Sequence, residues 1–194
     1  MARSVYDSFS DPFCYKNSSV LKNKAGLRDY DALESYELEM MTLRAQEPWP
    51  AGNFDTRHYL AIHRHWFQDV YSWAGRYRRV RTAKGGNVFC YPEHIASQME
   101  HVFAQLNEAA FLPGSDRNDF ISAAAQFLGE LNAIHPFREG NGRTQLAFLF
   151  LISYRAGHPL NLELVEEASM MEAMIESFHG RYSKLERVLL ALAA

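Results

Sequence analysis

The sequence is poor in cysteine: Cys14 and Cys90 are the only two, far apart and in no CxxC pair. That excludes a disulfide-stapled scaffold and a cysteine zinc site, and makes a reducing compartment the simplest setting. It lacks an excess of one charge, with 20 Lys and Arg against 23 Asp and Glu and a net charge of −3. Generic nucleic-acid binding, which draws on surplus cations, is therefore not expected. It also lacks a long apolar run. The longest, Leu146 to Ile152, falls far short of the about 20 residues that cross a bilayer. The opening Met1-Ala2-Arg3-Ser4-Val5-Tyr6-Asp7-Ser8 has no apolar h-region, so no secretory leader is expected. A cytoplasmic protein is expected, or one delivered into a host cell without a classical signal. Repeats, linkers and compositional breaks are missing too. With 194 residues, 47% hydrophobic and 22% charged, one domain over 1–194 is the expectation.

What is present reads mainly as helix. Apolar residues recur every three or four positions from Asp31 to Gln46 (Leu33, Tyr36, Met40, Leu43), from Arg57 to Tyr71, from Ile95 to Ala110 and from Asn118 to Ile134. Asp116 or Asn118 is the expected N-cap of the last of these. Thr144 to Ala156 is apolar on all sides between Leu146 and Ile152, as a central helix is, and Gly157 and Pro159 end it. Two further helices are expected around Glu163–Phe178 and Lys184–Leu192. The exception lies between Gly75 and Pro92, where two β-prone runs, Tyr77–Thr82 and Val88–Tyr91, flank Lys84-Gly85-Gly86-Asn87 and predict one hairpin.

The chemistry-bearing residue types concentrate in His135-Pro136-Phe137-Arg138-Glu139-Gly140-Asn141-Gly142-Arg143-Thr144. Pro136 forbids continuation of the preceding helix, and a new one starts near Arg143. Glycines there let a ligand approach the backbone, and a helix N-terminus presents N–H groups to an anion, most often phosphate. Arg143 adds a cationic fork, Glu139 is a carboxylate suited to Mg²⁺ beside phosphate, and His135 can take a proton at neutral pH. The plainer alternative is a tight turn with a capping histidine; four chemical roles meeting in one short loop weigh against it. A Rossmann fingerprint would need a preceding strand, and a Walker loop would need Gly-Lys-Ser/Thr; neither is present.

HPFREGNGR resembles the signature H-x-F-x-[DE]-G-N-G-R-x-x-R of Fic-domain proteins. Leu60 to Arg76, reading LAIHRHWFQDVYSWAGR, resembles the helix leading into that family's flap, and Lys84 to Cys90 resembles the flap. The likeness runs over about residues 10–190. It implies a mainly α fold, a Fic-type helical domain with one β-hairpin flap, its core at about 30–160, the flap at 77–91 and the signature loop at 135–146. It also implies a protein adenylyltransferase moving AMP from Mg-ATP to a Tyr, Thr or Ser hydroxyl of a target protein. Position by position, His135 would be the base and Glu139 the Mg²⁺ ligand. Asn141 and the amides around Gly140 and Gly142 would cradle the α-phosphate, and Arg143 would meet the β-phosphate. Phe137 would point inward, Lys84 and Gly85 would border the nucleotide, and the flap would align the target segment.

One position departs from the signature: its last arginine is Leu146 here, which removes a charge-assisted contact of about 1.5–3 kcal/mol. That leaves open another nucleotide donor, or a non-catalytic binding module on the same fold. The family's inhibitory motif, [S/T]-x-x-x-E-[G/N], has no match; Ser35 to Met40 fits until its last position. The chain thus resembles stand-alone Fic toxins restrained by a separate antitoxin protein. Arg76, Arg78, Arg79 and Arg81 are expected on a solvated strand edge rather than as a basic rim. His63 and His65 lack the further ligands zinc needs, and Met170, Met171 and Met174 read as core packing.

Overall fold

The computed structural model describes residues 11–193; the leader reading of Met1 to Ser8 lies outside them. Seven α-helices carry the described fold: α1 Tyr30–Arg44, α2 Thr56–Phe67, α3 Ile95–Ala104, α4 Arg117–Ile134, α5 Asn141–Ala156, α6 Glu167–Phe178 and α7 Ser183–Leu192. Short 3-10 turns at Pro92–His94, Gln105–Asn107, Ala109–Phe111 and Leu162–Leu164 fill the joints. Among the described helices none is long and apolar enough to cross a membrane.

Helix α4 packs against α3, α5, α6 and α7, and α5 lies between α4 and α2. Phe120, Ala124, Phe127, Leu128 and Leu131 line the buried stripe of α4, and Ala147, Phe148, Leu149 and Ile152 that of α5. No residue between 146 and 152 is fully exposed, as the lack of a polar face required. Asp116 caps α4 by accepting from the N–H groups of Asn118 (2.7 Å) and Asp119 (3.3 Å). A second, smaller core beneath α1 holds Cys14, Val20, Leu21, Leu33, Phe67, Val70 and Tyr71.

The hairpin forms, but its strands are shorter than expected and sit nearer the tip, with Lys84 and Asn87 paired rather than in the turn. β1 is Ala83–Lys84 and β2 Asn87–Val88, antiparallel, with Lys84 opposite Asn87. Gly85 and Gly86 have φ of 57° and 82°, the pair of positive values a two-residue hairpin turn needs. One more pair follows outward, the Phe89 N–H donating to Thr82 O (3.1 Å); residues 77–81, 90 and 91 leave the ladder because the backbone groups of Arg78 and Cys90 go elsewhere. The Arg78 N–H donates to Pro136 O (2.8 Å) and the Cys90 N–H to Ala133 O (3.1 Å), so both stems of the hairpin are fastened to the end of α4. Arg78 corrects the solvated-edge expectation: it is 2% exposed. Of the three methionines, Met170 is buried and Met174 packs on the core, whereas Met171 is exposed.

Candidate active site

Helix α4 ends at His135, which takes the left-handed conformation (φ 49°, ψ 62°). Proline at the next position disfavours right-handed helix there, and a non-glycine residue holds this conformation only when its surroundings impose it. Three contacts do. The His135 N–H donates to Leu131 O (2.9 Å), its carbonyl accepts from Arg78 Nε (2.7 Å), and its ring stacks on Phe89 at 3.9 Å and 11°. Burial, then the charges of Arg78 and Lys84, push the imidazole down to about 3, against a hydrogen bond to the Asn132 backbone that works the other way. At neutral pH the ring is therefore the free base.

The loop that follows is tied from inside. Phe137 is fully buried, stacked on His63 (3.7 Å) and Tyr59 (5.5 Å). The Asn141 side chain spans the loop, its Oδ1 accepting from Phe137 N (2.9 Å) and its Nδ2 donating to Phe137 O (2.8 Å). Those bonds use Oδ1 and one of the two Nδ2 hydrogens, so Asn141 can offer an anion its second Nδ2 hydrogen as well as its backbone N–H. His63 braces the loop from α2. It accepts from the Gly75 N–H at Nδ1 (2.8 Å), which puts its proton on Nε2, 3.1 Å from the Glu139 carbonyl. Burial pushes His63 down to about 3 as well, so this neutral tautomer persists. Both ring nitrogens are occupied, and among the described residues no cluster of three metal-ligating side chains occurs.

Helix α5 starts at Asn141, three residues earlier than the apolar pattern indicated, after Gly140 (φ 79°). Among the described residues no side chain caps this end, and the Thr144 N–H is bonded to Gly140 O (3.0 Å). The amides of Asn141, Gly142 and Arg143 form the first turn ahead of it. A Cβ on Gly142 would meet nothing within 4 Å, so there is open space beside these donors. Glu139 borders it with a side chain one-quarter exposed; its Oε1 accepts from Gly140 N (2.9 Å) and Arg143 Nη2 (3.4 Å).

Arg143 leans on α1. Its Nη1 donates to Glu37 Oε2 (2.9 Å), and its guanidinium lies over Phe67 at 4.6 Å. Glu37 is buried and also accepts from the Tyr71 hydroxyl. Burial opposes the charge on Arg143, but the Glu37 and Glu139 carboxylates outweigh it and hold the guanidinium above its ordinary value. Glu39, the carboxylate of the near-match to the inhibitory motif, is exposed on the far side of α1.

His135, Glu139, Gly142 and Arg143 therefore share one helix–loop–helix, with Lys84 close enough to act on the His135 ring. Gly85 is at the hairpin turn with open space around it. Leu146 is half-buried against the larger core. Four residues of the site were not anticipated: Glu37, Arg78 and the bracing role of His63, together with Arg138, whose Nε pairs with Asp11 Oδ2 (2.5 Å). Their partners lie far off in sequence, so periodicity carries no trace of them.

The model of the Fic/DOC family matches residues 53–153. The chain is 45% identical to the probable protein adenylyltransferase y4lH of Sinorhizobium fredii, over 93% of this chain and 94% of that protein. It is 36% identical to the protein adenylyltransferase VbhT of Bartonella schoenbuchensis, over 90% of this chain but 37% of that longer protein. Among solved structures, the AMPPNP-bound BepC of Bartonella tribocorum, a VirB-translocated effector, superposes with a TM-score of 0.83 at 27% identity. That match covers 93% of this chain and 95% of the other.

Proposed function

This chain belongs to the Fic/DOC family, and from that membership and the site's geometry we propose how it works as a protein adenylyltransferase, moving AMP from Mg-ATP to a Tyr, Thr or Ser hydroxyl of a target protein. The observation that carries the reading is a buried, uncharged His135 beside an uncapped helix N-terminus with room for a phosphate. In the reaction the target oxygen attacks the α-phosphorus. The bond from that phosphorus to the bridging oxygen of the β-phosphate breaks, pyrophosphate departs, and the hydroxyl proton passes to the His135 ring. The amides of Asn141, Gly142 and Arg143 would meet charge on the phosphates with preset dipoles, the arrangement that favours a transition state over its ground state. Arg143 would supply a cation toward the β-phosphate. Glu139 would hold Mg²⁺, which when bound neutralises polyphosphate charge. Anionic phosphates also offset the field of Arg78 and Lys84, raising the proton affinity of His135 at the moment it is needed.

The near-match to the inhibitory motif at Ser35–Met40 lacks its last residue, which supports a toxin restrained by a separate antitoxin protein, and the hairpin would be the surface on which a target segment docks by strand addition. Lys84 and Gly85 would flank the nucleotide there. Leu146 favours a second reading, a donor other than ATP or binding without turnover, because no cation stands one turn beyond Arg143.

The test is a panel of donors, α-labelled ATP, GTP, UTP and CDP-choline, incubated with the protein and cell extract. Label on protein from ATP is the expected result. Label from another donor alone overturns the ATP assignment, and no label from any donor favours the binding module.

A further inference from the structure

We infer that Arg78 is a positioning residue for this reaction: its guanidinium, wedged between the end of α4 and the two stems of the hairpin, sets His135 and the hairpin relative to each other. The inference rests on the reading of His135 as the proton acceptor.

The side chain is among the largest fully buried ones in the protein. Burying a guanidinium is costly unless its donors are met, and here carbonyls meet them in a planar fan. Nε donates to His135 O (2.7 Å), Nη2 to Ile134 O (3.1 Å) and Cys90 O (2.5 Å), and Nη1 to Val80 O (2.7 Å). Two of these acceptors are terminal carbonyls of α4, where helix geometry leaves oxygens unpaired and the helix dipole favours a cation. The other two belong to the incoming and outgoing stems of the hairpin. One side chain thus ties three segments together, and the backbone bonds Arg78 N–Pro136 O and Cys90 N–Ala133 O repeat the join. Phe89, adjacent to Cys90, is the ring stacked on His135, with Phe178 of α6 edge-on behind it at 5.8 Å. Fixing Cys90 therefore also fixes the platform under the imidazole. Lysine cannot substitute, because an ammonium on a flexible stem has no fork to reach four carbonyls.

Among the described residues, the charged groups acting on the His135 ring are Arg78 from the incoming stem and Lys84 from β1; α4 adds the Asn132 backbone and the outgoing stem the Phe89 ring. Removing the Arg78 charge makes the imidazolium less unfavourable, so the ring should titrate at higher pH.

Arg78→Lys and Arg78→Met are to be compared with the wild type by MgATP titration, by rate of AMP transfer and by NMR titration of the His135 ring. In Arg78→Lys, transfer should fall about 10- to 100-fold, the scale of a misplaced reacting group, with MgATP affinity within about twofold. The His135 midpoint should rise in Arg78→Met and less in Arg78→Lys. In the unaltered protein, hydrogen exchange at the Arg78 and Cys90 amides should be as slow as in α4 and far slower than at Gly85 and Gly86. That last arm tests the fastening of the hairpin stems to the end of α4 without any variant, and fast exchange there removes the frame the guanidinium would hold. Folded variants with wild-type transfer and an unmoved His135 midpoint would overturn the inference, as would fast exchange at Arg78 and Cys90. Should the wild type transfer no AMP at all, the activity reading fails, and ring titration and exchange still judge Arg78.

Discussion

Gly140 and Gly142 stand two positions apart and are glycine for different reasons. Gly140 has φ 79°, and a Cβ there would lie 2.3 Å from the Phe67 ring, so protein packing demands it. Gly142 has ordinary helical backbone and open space around it, so packing does not demand it, and on the proposed reading it leaves access for a ligand. Gly140→Ala should destabilise the fold by about 1–3 kcal/mol through strain and overpacking. Gly142→Ala should leave the fold intact or stabilise it by about 0.5–1 kcal/mol, alanine being the better helix former, while weakening MgATP binding. Thermal melts paired with nucleotide titration separate the two; equal stability losses would refute the division. At this scale the sequence was informative wherever function compressed residue types into a short loop. His135, Glu139 and Arg143, which the fold holds on one helix–loop–helix, were legible as candidates because their chemistry is rare in combination. Arg78 was not, since an arginine among arginines in a β-prone run looks like a solvated edge. The two bonds of the Asn141 amide to Phe137 depend on a loop closure that spacing does not reveal.

Among the elements, α1 is attached in an unusual way. Leu38 and Leu43 are 68% and 53% exposed, and its buried residues are Leu33 and Glu37. Polar contacts do much of the holding: Glu37 to Arg143 and Tyr71, Arg44 to Asp69 (2.6 and 2.9 Å), and His65 Nε2 to Arg44 O (3.0 Å). Glu37→Ala should therefore cost about 1–3 kcal/mol, below the usual loss for breaking a buried ion pair because Arg143 is partly solvated. It should also free the guanidinium and change MgATP affinity. Denaturant melts and nucleotide titration check both, and a variant unchanged in both would show α1 to be held by packing alone. The expected stripe through Leu43 missed this because the partner that turns Glu37 inward lies on α5. The hairpin was legible but its strands were placed too far from the tip for a similar reason: the backbone of residues 78 and 90 bonds to the end of α4 and the residue after it, and β propensity cannot foresee a helix end as the acceptor.

For the whole molecule, two histidines buried as neutral rings make stability depend on pH. Both His63 and His135 are pushed from 6.5 to about 3 in the folded state, chiefly by burial. Below the unfolded value the unfolded chain binds the extra protons, so stability is complete above about pH 6.5 and falls as the pH drops toward 3. Two such groups give a loss of about 2–3 kcal/mol per pH unit between pH 6 and 4.5, a window above most carboxylate titration. Melts across that window should show a slope near two protons, reduced by about one in His63→Gln and in His135→Gln. A flat profile would mean that the rings are hydrated or charged in the fold. The helical order, the central α5 and the single hairpin were all legible from periodicity, because burial of one face imposes it. The long-range polar joins that bring α1, the hairpin and the loop to one site were not, since each depends on the completed fold.

The central claim, a proton taken by His135 from a hydroxyl poised over a phosphate at the start of α5, is tested most directly by His135→Ala. With α-labelled ATP and cell extract, transfer of label to protein should fall by about 10²- to 10⁴-fold, while MgATP affinity stays within a few-fold of wild type. Undiminished labelling by the folded variant would contradict it.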